Sequence, residues 1–292
     1  MERWDGLFNL NKTFMVDLQK RNDECGYTDY FNKYLTFPPV PGSLPEPNKT
    51  NNDEGCAIWE DVINAVMLTN PCFDVYQVAT TCPLLWDVLG FPGSFGYLPP
   101  GETVYFNRTE VQKAINAPMQ EWDECANGVL DNDDSPEVTW GVLPRVIDAL
   151  DRTVVVHGDL DFILLANGTL MSIQNMTFGG QQGFQSEPCD DFFVPYHDEY
   201  SQETLSAAGV MGKTHTERKL TWVEQALSGH MVPQYQPSSG YRQLEFLLGR
   251  IDSLTSTVPF TTKPGAGAKN STMTKRAIGG MDVKFGEVAK WY

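Results

Sequence analysis

The sequence predicts an α/β fold, an open sheet with helices packed on it, preceded by a disulfide-stapled helical subdomain. Three observations carry that prediction. TVVVHG at 153–158 is a β-branched run of the kind a strand covered on both faces requires. KLTWVEQAL at 219–227 is a second strand candidate, and each run leads through a loop with a polar residue into a helical pattern. Six cysteines occur with no Cys-x-x-Cys pair, and five of them fall within residues 1–135. That distribution disfavours zinc ribbons and thioredoxin chemistry and fits structural disulfides.

Residues 1–135 read as the stapled subdomain. Residues 38–55 (PPVPGSLPEPNKTNNDEG) are rich in Pro, Asn and Gly and form a loop. Ile58, Val62, Ile63 and Val66 then recur at helical spacing. Asn107 can cap a short helix whose third residue is Glu110, with Val111, Ala114 and Ile115 on one face. The acids of DNDDSPE at 131–137 lack the glycine and distal Glu of a calcium loop and read as a solvated turn.

Residues 136–254 read as the α/β part. Val142, Leu143, Val146, Ile147 and Leu150 form a helical face, with Pro144 placed near its start, where the missing N–H costs little. The first strand, a Gly-Asp-Leu-Asp loop and a helix near 168–176 follow. The second strand leads into SGHMVP at 228–233, and a last helix puts Tyr241, Leu244, Leu247, Leu248 and Ile251 on one face. Residues 255–292 show little periodicity and read as a flexible tail.

The formal net charge of −17 repels nucleic acid and anionic membranes, and no basic stripe offsets it. No apolar stretch is long enough to cross a bilayer. Sequons stand at Asn11, Asn48, Asn107, Asn167, Asn175 and Asn270, all with Thr, which fits a glycosylated protein. The opening MERWDGLFNL has no basic flank followed by an apolar run, so it is not an export signal. Exported chemistry without that signal leads us to expect a piece of a longer precursor. No two histidines have metal-ligand spacing and no phosphate- or dinucleotide-binding motif occurs, so neither a metal nor a cofactor is expected.

Asp161 follows the first strand and His230 follows the second. Acid then histidine, each on a strand-end loop, is the order of the last two triad members in an α/β hydrolase. A histidine near its ordinary pKa can take a hydroxyl proton and return it to a leaving group, while a carboxylate fixes its tautomer. Spacing alone leaves open that Asp161 is a turn former and His230 an ordinary polar residue. His157 reads as a packed or hydrogen-bonded side chain, and His197 and His215 as exposed residues of polar loops.

VVVHGDLDFILLANG and LSGHMVP resemble the two C-terminal signatures of the serine carboxypeptidase family, with the fungal secreted members the nearest in look. ECGYTDYFNKYLTFPP, the Asn-Pro-Cys at Cys72 and YFNRTEVQKAINAP resemble that family too, so the likeness spans roughly residues 1–252. It implies an α/β-hydrolase fold and a secreted or vacuolar exopeptidase that acts on peptide or protein C-termini through an acyl-enzyme. Asp161 would be the orienting acid, His230 the general base and Met231 a wall of the pocket for the substrate's C-terminal side chain.

The departures are specific. The family's nucleophile lies in a Gly-Glu-Ser-Tyr-Ala-Gly elbow, and no Gly-x-Ser-x-Gly occurs here. Ser94, in Gly93-Ser94-Phe95-Gly96 after Pro92, has the wrong spacing and is rejected. The oxyanion segment is missing as well, so the hydrolase core is expected to be incomplete, with the N-terminal half of the same precursor as its structural partner. Cys125 matches the family cysteine that bonds to that half, and Leu164 stands where some members have a cysteine. Two other readings stay open: a non-catalytic secreted glycoprotein or pseudoenzyme fragment, and a different α/β hydrolase such as an esterase.

Overall fold

The structure, a computed structural model, describes residues 5–82, 104–122, 128, 131–134, 138–196 and 207–261. After a one-turn helix, α1 (Asp5–Phe8), the side chain of Asn11 caps α2 (Lys12–Cys25) by accepting from the Phe14 N–H at 2.9 Å. Gly26, at φ 75°, ends α2 in the left-handed conformation and lets α3 (Tyr27–Tyr34) leave in a new direction. The Cys25–Cys56 disulfide ties the end of α2 to the approach of α4 (Ile58–Met67), which buries Val62 and Val66 as their spacing predicts. A second disulfide, Cys72–Cys82, closes the loop after α4, while Cys189 is a free, exposed thiol. Cys125 lies outside the described residues, as do Ser94 and His197.

Asn107 is not the cap of the next helix. Arg108 holds that position before α5 (Thr109–Ala114), because both ends of the Asn107 amide are engaged by the backbone of Trp122, at 2.6 and 3.2 Å. α6 (Val138–Ala149) begins earlier than the sequence pattern suggests, so Pro144 sits inside it rather than near its start. Of the expected apolar face, Ile147 is buried and Leu143 packs beside it, whereas Val142, Val146 and Leu150 are exposed.

The sheet begins with β1 (Thr153–Gly158), which leads through the Asp161 loop to α7 (Ala166–Asn175) and the small hairpin β2 (Thr177–Phe178) and β3 (Gln181–Gln182). β4 (Asp190–Val194), β5 (Gly209–Glu217) and β6 (Leu220–Gln225) follow, then α8 (Val232–Tyr235) and α9 (Pro237–Leu247). The strand order is β1-β6-β5-β4, with β1 parallel to β6 and the other pairs antiparallel. One edge of β1 has no strand partner among the described residues.

Side chains of β1 alternate between two cores, as a strand covered on both faces must. Val155 meets Ile147, Leu170, Ile173 and Trp222 under α6 and α7. Val154 and Val156 meet Phe192, Val223 and Phe246 on the α9 side. A third cluster joins Phe8, Leu18, Val62, Val66 and Val78 to Leu160 and Phe162, so the disulfide-bearing helices rest directly on the loop after β1.

The β5–β6 hairpin was not expected, because its two-residue turn is Arg218-Lys219 rather than an Asn-Gly pair. Both residues take positive φ, 48° and 73°. Tertiary contacts offset that strain. The Arg218 guanidinium donates to Gly183 O and Glu217 Oε2 and lies over the Phe178 ring, and Lys219 Nζ donates to Asp148 O at 3.0 Å. His215 is consequently on β5 and half-buried rather than in an exposed loop, with Nε2 2.8 Å from Glu217 Oε1.

Helix α9 keeps only part of its expected face: Tyr241 packs against the core and Ile251, just beyond the helix, is buried, but the leucines are not. Leu244, Leu247 and Leu248 are 46%, 44% and 56% exposed, while Arg242 and Glu245 are fully buried and paired at 2.8 Å. Their other bonds hold the chain beyond the helix. Arg242 Nη2 donates to Ser256 O and Val258 O, and Glu245 Oε1 accepts from the N–H and hydroxyl of Thr261. Residues 255–261 are therefore packed, with Phe260 buried, and are not part of a flexible tail; 262–292 lie outside the described residues.

Removing one partner of a buried ion pair leaves the other charge uncompensated. Glu245→Ala is expected to cost about 3–5 kcal/mol, read from urea unfolding midpoints. A loss below about 1 kcal/mol would show that Arg242 finds solvent or another acceptor.

Candidate active site

Parallel pairing of β1 and β6 brings their carboxyl ends side by side, with Gly158 opposite Gln225. Beyond that pair the loops continue to bond: Asp159 N–H to Gln225 O and Leu160 N–H to Ser228 O, both at 2.9 Å. The approach is so close that only glycine fits. A Cβ on Gly158 would fall 2.1 Å from Gly229 O, and one on Gly229 would fall 1.9 Å from Tyr76 O. Gly158 is thus a steric requirement of the contact between the two loops, and Gly229 of the contact with residues 76–77.

This contact brings Asp161 and His230 together. Nδ1 of His230 is 2.9 Å from Oδ2 of Asp161. The other oxygen, Oδ1, accepts from the N–H groups of Ile163 and Leu164 at 3.0 and 3.1 Å. Both carboxylate oxygens are therefore engaged, and an acceptor on Nδ1 selects the tautomer that leaves Nε2 with its lone pair. The side chain of Asp161 is 3% exposed against 36% for His230, so the acid is shielded while the imidazole stays accessible. That asymmetry suits an orienting acid and a proton-exchanging base.

The surroundings are aromatic and partly buried. The Tyr76 ring meets the His230 imidazole edge-on at 5.4 Å. Phe162, directly after the acid, stacks on Trp59, whose indole N–H donates to Phe162 O at 2.7 Å. Burial, with Asp74 and Asp161 adding to it, pushes the Tyr235 hydroxyl up to about 12, so it stays protonated in ordinary buffers. Burial likewise raises the Asp74 carboxyl, against a hydrogen bond from the Tyr76 backbone. Met231 follows His230 and is half-buried, its carbonyl accepting from the N–H groups of Gln234 and Tyr235 at the start of α8.

His157 is packed, stacked on Trp222 at 5.5 Å with Nε2 2.7 Å from Thr169 Oγ1. Among the sequons, Asn11, Asn48 and Asn167 are exposed and Asn107 and Asn175 half-buried, with Asn175 Oδ1 accepting from the Leu44 N–H; Asn270 is outside the described residues. No cluster of three or more metal-ligating side chains occurs among the described residues, and Asp131–Asp134 of the acidic run are exposed. Sequence reasoning missed the segment 74–78, because its contacts to both loops are made mainly through backbone atoms, which leave no residue-type signal.

Burial pushes the His157 imidazole below its ordinary value, with His230 acting the same way and Asp161 and Glu224 opposing. A lowered folded pKa means the unfolded chain binds the proton more readily. The stability of the neutral form is intact above about pH 6.5 and is lost as pH falls through the folded value. His157→Gln, which keeps a polar group for Thr169, is expected to flatten that part of the stability–pH curve in urea titrations. An unchanged slope would assign the acid sensitivity to another group.

The family model described as serine carboxypeptidase matches residues 14–249. A probable serine carboxypeptidase of Arthroderma benhamiae is 56% identical over 258 residues, covering 87% of this chain and 48% of that protein. The carboxypeptidase Y homolog of the same organism is 41% identical over 261 residues, covering 88% and 49%. The serine-type carboxypeptidase F of Aspergillus niger is 40% identical over 272 residues, covering 87% and 51%. The chain spans about half the length of the curated relatives it matches.

Proposed function

The chain belongs to the serine carboxypeptidase family, with its α/β-hydrolase fold, and from that premise we propose that it supplies the acid and the base of a carboxypeptidase active site. The 2.9 Å contact between His230 Nδ1 and Asp161 Oδ2 carries this reading. The substrate is a peptide or protein C-terminus, and the reaction is release of the terminal amino acid through an acyl-enzyme.

His230 takes the proton of a serine hydroxyl on Nε2 as that oxygen attacks the scissile carbonyl, and returns it to the leaving amine. Asp161 holds the ring and stabilises the imidazolium formed between those steps. Water then repeats the sequence on the ester, with His230 again accepting and returning a proton. Met231, next to the base, walls the pocket for the C-terminal side chain.

The serine comes from a segment of the same precursor that docks against this chain. Two observations support that assignment. No Gly-x-Ser-x-Gly elbow occurs in the sequence, and β1, which carries Asp161 at its end, has an unpaired edge among the described residues. An added strand there would satisfy the backbone groups of β1. Two disulfides and exposed sequons at Asn11, Asn48 and Asn167 support an exported, extracellular or vacuolar location. Among the described residues no helix is long and apolar enough to cross a membrane.

The test is steady-state kinetics of the precursor and three variants on blocked dipeptides with different C-terminal residues. His230→Ala should remove most turnover. Asp161→Asn should lower kcat on the order of 10⁴-fold, by analogy with the serine-protease triad. Met231→Ala should redistribute preference among C-terminal side chains by about 1–3 kcal/mol with kcat on the best substrate largely kept. Near-normal turnover in His230→Ala would overturn the mechanism.

A further inference from the structure

Residues 74–78 are bonded to both loops of the site. The Phe162 N–H donates to Val75 O at 2.8 Å and the Val78 N–H to Leu160 O at 3.0 Å, which fastens the segment to the acid loop. The His230 N–H donates to Tyr76 O at 2.8 Å, which fastens the same segment to the histidine loop. One short stretch, closed off by the Cys72–Cys82 disulfide, is therefore bonded to both loops and fixes their spacing.

Tyr76 can present its carbonyl to His230 only because the chain turns at this point, and Asp74 makes the turn. Its Oδ1 accepts from the Tyr76 N–H at 2.9 Å, and its own carbonyl accepts from the Gln77 N–H at 3.1 Å. The side chain is 7% exposed, and its second oxygen, Oδ2, is buried without a hydrogen-bond partner. A buried, half-satisfied carboxyl is costly, so its retention calls for a compensating role.

We propose that Asp74 is a positioning residue for His230, holding Tyr76 in the turn whose carbonyl anchors the histidine backbone and so setting the approach of Nδ1 to Asp161. The inference rests on the carboxypeptidase reading of Asp161 and His230. Asp74 touches neither the imidazole nor the reacting atoms in this scheme; it acts through Tyr76.

The experiment compares Asp74→Ala, Asp74→Asn and Asp74→Glu in the precursor, with His230→Ala alongside. The readouts are kcat, KM and the low-field proton resonance of His230 Nδ1, which reports the bond to Asp161 whether or not the protein turns over. Asp74→Ala should lower kcat on the order of 10²-fold with KM little changed, the cost of a misplaced base, and should broaden or remove the resonance. Asp74→Asn keeps the Oδ1 acceptor and should restore most of both. Asp74→Glu keeps the charge but moves the acceptor, and should show the same loss of kcat and change of the resonance, which keeps the test readable if the alanine variant does not fold. Wild-type kcat and resonance in Asp74→Glu or in a folded Asp74→Ala would overturn the proposal, as would a lowered unfolding midpoint with kcat intact. Loss of the catalytic reading shows separately, as full turnover in His230→Ala.

Discussion

Parallel pairing of β1 with β6 is the constraint on which the rest of the site depends. Residues 153 and 220 are far apart in sequence, yet the six-residue register between them delivers Gly158 and Gln225 to the same level. From there the chains have no room for side chains, and the two glycine-containing motifs meet backbone to backbone. A one-residue slip would turn the valines of β1 from one core to the other and pull the acid loop away from the histidine loop. Register is therefore enforced by both apolar faces of the strand, well away from the chemistry that benefits from it.

The helical subdomain adds a second, independent restraint. Its aromatic cluster does not merely cover the sheet; Phe8, Phe73 and Trp59 gather on Phe162, the residue after Asp161. The segment beyond Phe73 then bonds to both loops. Disulfides at Cys25–Cys56 and Cys72–Cys82 hold the helices and loop from which these contacts come. The stapled region thus contributes geometry to the site while contributing no acid, base or nucleophile of the proposed mechanism.

Helix α9 is the clearest case in which tertiary demands reorganised a local pattern. Its leucine stripe faces outward, because the inward positions are given to Arg242 and Glu245, which fasten residues 256–261 across the helix. A hydrophobic pattern alone would favour the leucines as the core face. The buried pair satisfies the backbone of an otherwise irregular segment, and that need outweighed the apolar stripe.

By itself the sequence determined the strand at 153–158, a second strand within 219–227 and the helices near Ile58 and Leu170, and it singled out Asp161 and His230 as candidates. The elements were legible because each rests on a local rule, β-branched runs or 3.6-residue spacing, whereas the candidate pair stood out through motif resemblance, spacing alone leaving both residues open. It did not reveal the β5–β6 hairpin, since Arg218 and Lys219 adopt a turn that only Phe178, Gly183 and Asp148 make affordable. It misassigned the cap at Asn107, the start of α6 and the three leucines of α9, where distant partners compete with the local preference. Nor could it anticipate the bonds from residues 75, 76 and 78 to the two loops, because backbone carbonyls and amides are common to every residue and only the folded chain decides which of them meet.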